Sequence, residues 1–112
     1  MAYDSGLTQR VREVLGVRPG LSERKMFGGL AFMLDGKMFV GVLGSVLMAR
    51  VGPQRHQDAL AQPYVREMDF TGRPMKGYVF IDPPGLADDR DLAAWVLWCA
   101  GHVAALPANK PR

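Results

Sequence analysis

The sequence predicts a two-layer α+β domain, an antiparallel sheet with helices on one face, in the order α-β-β-β-(β)-α-β-β-α. Three observations predict it. Apolar residues at helical spacing open and close the chain. Between them lie short apolar runs punctuated by Gly, Pro and Asp-Gly, the pattern of strands joined by tight turns. The 112 residues suffice for one hydrophobic core and are too few for two. With 48% hydrophobic and 22% charged residues, the composition is that of an ordinary folded domain. One domain over residues 1–107 and a polar tail over 108–112 are expected.

Leu7, Val11, Val14 and Leu15 form one apolar stripe, so the first element reads as a helix. Asp4 or Ser5 is placed to cap it, Gly16 to end it, and Val17-Arg18-Pro19-Gly20 is a connecting turn. Strands are expected over Arg24–Gly28 and Leu30–Leu34. Asp35-Gly36 is a two-residue hairpin signal, because both turn positions need positive φ. Lys37–Leu43 returns, Gly44-Ser45 turns again, and Val46–Val51 adds a strand, completing an antiparallel meander. Gly52-Pro53 opens a short helix over Gln54–Gln62, since proline suits the first helical turn, and Pro63 stops it.

Tyr64, Arg66, Met68 and Phe70 alternate with Val65, Glu67 and Asp69, a half-exposed strand. Thr71-Gly72-Arg73-Pro74 is a loop, Gly77–Ile81 a more buried strand, and Asp82-Pro83-Pro84-Gly85 its stop. The last helix has Asp88 or Asp89 as cap and Asp91 near its positive end. Leu92, Trp95, Val96, Cys99, Val103 and Leu106 share one face, and Pro107 ends it. Trp98, three residues after Trp95, lies toward the flank as a partly exposed anchor.

Helices on one sheet face leave the other uncovered. Leu30, Phe32 and Leu34 alternate with Ala31 and Met33, and Met38, Val40 and Val42 with Phe39 and Leu43, so both faces of these strands are apolar. An uncovered apolar face marks a contact surface unless a loop or the chain end lies over it. Six of the seven methionines fall in or beside strands, where they serve as core filler or as an adaptable binding surface.

The net charge of +3 is modest, and two of the 14 basic residues, Lys110 and Arg112, sit in the last three positions. No basic stripe suggests a groove-reading protein. A single cysteine, Cys99, excludes an intrachain disulfide and fits a reducing compartment. The N-terminus lacks a signal-peptide pattern, and no apolar run approaches the roughly 20 residues of a membrane helix. A cytoplasmic protein without a membrane contact is expected.

Reactive groups are few. His56 and His102 lack zinc-ligand spacing and read as surface or core-edge residues. Cys99 sits on the apolar helix face as a small hydrophobe. Asp88, Asp89 and Asp91 cap a helix, and no serine stands in a nucleophile elbow. No catalytic residue, metal ligand or cofactor is expected. Met26-Phe27-Gly28-Gly29 reads as a place where a strand bends or another segment approaches closely. Two basic motifs, Arg24-Lys25 and Arg73-Pro74-Met75-Lys76-Gly77, flank strands. If those strand ends meet, Lys25, Arg73 and Lys76 form a positive cluster for a phosphate or an acidic partner. The candidate binding residues are Lys25, Phe27, Gly28, Gly29, Arg73 and Lys76.

Lys25-Met26-Phe27-Gly28-Gly29 and the run from Leu30 to Met38 resemble the signature of the TfoX/Sxy N-terminal domain family. Leu47–Gly52 and Met68–Val79 resemble its later segments, so the likeness runs from about Tyr3 to Pro107. The resemblance implies a fold like that of the secretion-chaperone group. It also implies a regulatory setting, since better-known members act in natural competence with the cyclic-AMP receptor protein at promoters, as accessory proteins rather than enzymes. Those regulators carry a second, helical domain, whereas this sequence is expected to be a single-domain member.

The expected function is therefore a small non-enzymatic interaction module with a regulatory or adaptor role and an unidentified protein partner. Pairing of two copies through the apolar faces is a further expectation. The alternatives are direct nucleic-acid binding through the basic cluster, or a small-ligand site between sheet and last helix.

Overall fold

Asp4 starts the first helix. Its carboxylate accepts from Leu7 N–H at 3.0 Å, and α1 runs Ser5–Leu15 in the computed structural model, which describes residues 3–26, 28–69 and 75–106. Gly16 closes α1 at φ 60°, its N–H donating to the Arg12 carbonyl. The stripe Leu7, Val11 and Leu15 is buried, and Thr8, also buried, donates its hydroxyl to the Asp4 carbonyl.

Four strands follow: β1 Leu21–Met26, β2 Gly29–Leu34, β3 Lys37–Leu43 and β4 Val46–Arg50. Asp35 and Gly36 take φ 51° and 79°, the primed turn that matches strand twist. After β4, a 3-10 turn Pro53–Arg55 leads into α2, His56–Leu60. Strands β5 Val65–Glu67 and β6 Tyr78–Ile81, a 3-10 turn Pro83–Leu86 and α3 Asp89–Ala104 complete the order. The Asp88 carboxylate caps α3 by accepting from Arg90 N–H at 2.7 Å.

All pairings in the six-stranded sheet are antiparallel, in the order β1-β2-β3-β4-β6-β5. The molecule is thus an α+β domain with its helices on one sheet face. Leu30, Phe32, Val40, Val42, Leu47, Ala49, Val79 and Ile81 face this helix layer and share one core with Leu7, Val11, Leu92, Val96 and Cys99. Arg10 clamps α1 to the start of α3, donating to the Leu86 carbonyl at 2.7 Å and to Asp89 at 2.9 Å.

Three expectations change. β1 begins at Leu21 rather than Arg24, and β5 ends at Glu67 rather than Phe70, which lies outside the described residues. Both are edge strands: exposed polar residues hide the start of β1, and in β5 the alternation of the sequence outlasts the pairing with β6, which ends at Glu67. The alternation in β3 is also broken. Phe32 pairs with Val40 and Met33 with Met38, which leaves Phe39 as a bulge. Phe39 and Val40 therefore both enter the helix-side core, while Met38 and Leu43 pack with the opposite face.

Arg12 of α1 grips Glu23 of β1 through two hydrogen bonds, 2.8 and 2.7 Å. The Arg12 bond holds the Glu23 carboxyl below its ordinary value of 4.5 against an opposing effect of burial. A lowered carboxyl stabilises the fold above the unfolded value, and that contribution disappears as pH falls through the folded value. Both side chains are substantially exposed, so Glu23→Gln should cost under about 1 kcal/mol at neutral pH. In urea unfolding the difference from the parent should shrink as pH falls below 4.5 and through the lowered folded value.

Candidate functional site

The sheet register decides the fate of the expected basic cluster. Lys25 pairs with Leu30 on the outermost strand β1. That end of the sheet continues through Gly29, Leu43, Val46 and Ile81. Lys76 precedes Tyr78, which pairs with Arg50 at the other end. Lys25 on β1 and Lys76 just before β6 thus have three strands between them and lie at opposite ends, and the sheet does not bring them together. Arg73 and Phe27 lie outside the described residues. Gly28 and Gly29 have structural roles. Gly28 takes φ 75° between β1 and β2. Gly29 lies so close to the Val42 carbonyl that an added Cβ would overlap it.

What the register does assemble is the sheet face away from the helices. Directly opposed residues in antiparallel strands share a face. Ala31, Met33, Met38, Gly41, Leu43, Val46, Met48, Tyr78 and Phe80 therefore lie together. Met48 and Phe80 are buried there beneath Met68, which leaves the end of β5 and folds across them. Met33, Met38, Leu43, Val46 and Tyr78 stay half-buried. A segment thus covers part of this face, one of the two outcomes expected, and leaves the rest open.

The same face carries three arginines. Arg24 pairs with Ala31, Arg50 with Tyr78 and Arg66 with Phe80. The Arg50 guanidinium lies 5.8 Å from the Tyr78 ring centre, and that of Arg66 lies 4.9 Å from the Phe80 ring centre. Arg66 also meets Asp82 at 3.1 Å. By the strand register, no carboxylate from a strand faces this side. Arg24 stands in one of the basic motifs of the sequence, but that positions 24, 50 and 66 share one face, spread from edge to edge of the sheet, follows only from strand order and register.

The family model of the TfoX N-terminal domain matches residues 13–102. The chain belongs to the TfoX N-terminal domain family. The matched span starts within α1, ends within α3 and includes every strand of the TfoX N-terminal sheet. Membership supports an association with competence and its regulation. No curated protein and no solved structure matches the chain.

The remaining reactive groups of this TfoX N-terminal domain have structural surroundings. Cys99 is fully buried, and burial pushes its thiol up to about 12, which removes thiolate character at neutral pH. His102 packs against Gly52, where an added Cβ would lie 2.6 Å from the ring. Burial, and then the charge of Arg50, holds His102 below its ordinary value. His56, expected at the surface or the core edge, is buried: Nδ1 accepts from Gly77 N–H at 2.9 Å and Nε2 meets Glu67 at 2.6 Å. Among the described residues, no three His, Cys, Asp or Glu side chains gather at metal-binding distance. No described helix is long and apolar enough to cross a membrane.

Proposed function

We propose that this TfoX N-terminal domain is a cytoplasmic, non-enzymatic protein interaction module with a regulatory or adaptor role, and that the open sheet face is its contact surface. One observation carries the reading: half-buried Met33 and Met38 toward one end of the open face and Leu43 and Val46 toward the other share that face with three arginines and no strand carboxylate. Arginine and methionine are enriched at protein interfaces. The complementary partner presents an apolar surface that carries acidic residues. A second copy brings the same arginines and no strand carboxylate, so the reading favours a different protein over a homodimer. It also favours a protein over nucleic acid, because Met33, Met38, Leu43 and Val46 are apolar.

Affinity capture with the full chain as bait tests this. A stoichiometric partner should be recovered, and Leu43→Asp should abolish its recovery while leaving the far-ultraviolet circular dichroism spectrum unchanged. Absence of any stoichiometric partner, or undiminished capture by a folded Leu43→Asp variant, overturns the reading.

A further inference from the structure

The helix layer carries an aromatic cleft that the sheet-face contact does not use. It holds about 490 Å³ between the turn before β5, the 3-10 turn after β6 and one face of α3. That volume suits a small ligand or a single extended side chain. Pro63, Tyr64, Pro84, Asp91, Trp95 and Trp98 line it.

Its walls are set in advance. Both prolines fix their own φ. Tyr64 takes φ 66°, and its carbonyl accepts from Asp82 N–H at 2.9 Å. Gly85 lets the two turns close on each other, since a Cβ there would meet Ile81 at 2.9 Å and Tyr64 at 3.2 Å. A left-handed backbone is unfavourable for tyrosine. This strain brings the side chain no burial, because Tyr64 is 56% exposed. An exposed aromatic held at a cost to the backbone points to a ligand.

The chemistry of the lining selects the ligand. Trp95 and Trp98 stack with ring centres 5.2 Å apart and planes 9° from parallel. The Arg55 guanidinium lies 4.5 Å from the Trp98 ring centre, a cation–π contact that takes up one part of the indole surface. Asp58 matches that charge at 3.2 Å. Asp91 is exposed and forms no ion pair or side-chain hydrogen bond among the described residues. An anion would be repelled by Asp91, and a neutral apolar ligand would desolvate its carboxylate without return. A cation meets electron-rich rings and a matching charge.

We propose that this cleft binds an organic cation, an alkylated ammonium group, with Tyr64, Trp95 and Trp98 as its ring surface and Asp91 as its counter-charge. The same head group occurs on free metabolites and on methylated lysine side chains.

Trp95 and Trp98 are the protein's only tryptophans, so their fluorescence reports the cleft directly. Tetramethylammonium titrated into the full chain should give a saturable change. Neopentyl alcohol, its neutral counterpart in shape, should bind about tenfold or more weakly. Asp91→Asn should lower tetramethylammonium affinity about tenfold. Tyr64→Gly should lower it too, without loss of stability, because glycine accepts the left-handed backbone. Choline and a trimethyl-lysine peptide form the two source arms, and tighter binding of either upholds the proposal and names its source. No saturation by tetramethylammonium, equal binding of neopentyl alcohol, or unchanged affinity in folded Asp91→Asn overturns it. Saturation of the same signal by a proline-rich peptide lacking a cationic side chain, with no response to any ammonium, overturns it as well.

Discussion

Replacing Gly29 by alanine should lower the unfolding free energy by about 2–3 kcal/mol, the cost of forcing atoms into a filled space. Gly29 opens β2 opposite Leu43 and is buried. Its absent side chain would overlap the Val42 carbonyl and press on the Leu43 side chain. A carbonyl in a sheet cannot step aside without disturbing the ladder it belongs to. Gly28→Ala is the contrast. Gly28 has open space around it and only its φ of 75° to oppose alanine, so that variant should cost about 1 kcal/mol. Urea unfolding followed by circular dichroism measures both. Equal costs, or a larger cost at Gly28, would show that backbone freedom rather than close approach is why glycine stands at 29.

This contrast explains why Phe27-Gly28-Gly29 invited a functional reading from sequence. The same stretch also reads as a place where a strand bends or another segment approaches closely. Its two glycines serve a hairpin: one supplies positive φ, the other makes room for the third strand.

Local signals were legible. Asp4, Gly16, Asp35-Gly36 and Asp88 act within three or four residues of themselves, and each does what its chemistry implies. Non-local arrangement was not legible. The bulge at Phe39 shifts the alternation in β3 by one residue, so Met38 and Phe39 take faces that strict alternation does not assign. The start of the edge strand β1 lacked alternation because its residues meet solvent, whereas the alternation from Tyr64 runs on past Glu67, where the strand β5 ends. The choice between Lys25 and Arg24 was lost in the same way. Neighbouring residues on a strand point to opposite faces, and Arg24, not Lys25, shares the face of Arg50 and Arg66. Trp98 was better placed by sequence, because a spacing of three on a helix puts two side chains side by side wherever the helix packs.

The buried histidine carries the second large effect. His56→Leu should destabilise the fold by about 2–4 kcal/mol, since it strands a buried donor and removes a charge-assisted bond. Gly77 N–H donates to Nδ1, so the ring proton sits on Nε2 and is donated to Glu67. Through this one ring, α2 holds the end of β5 and the approach to β6. Met75 N–H donates to the Met68 carbonyl, so the same tie secures the segment that lays Met68 over Met48 and Phe80. His56→Asn offers a carbonyl near the position of Nδ1 but no reach to Glu67. Its cost should be about half that of leucine. Glu67→Gln keeps an acceptor on a side chain that is 43% exposed, and should cost under about 1 kcal/mol. The expected ranking in urea unfolding is leucine, then asparagine, then Glu67→Gln. Hydrogen exchange adds a local readout. In His56→Leu the Gly77 amide should lose protection beyond the global change, while α1 amides follow global stability alone. A reversed ranking, or a Gly77 amide that tracks α1, would show that the ring fills space without holding the two strands together.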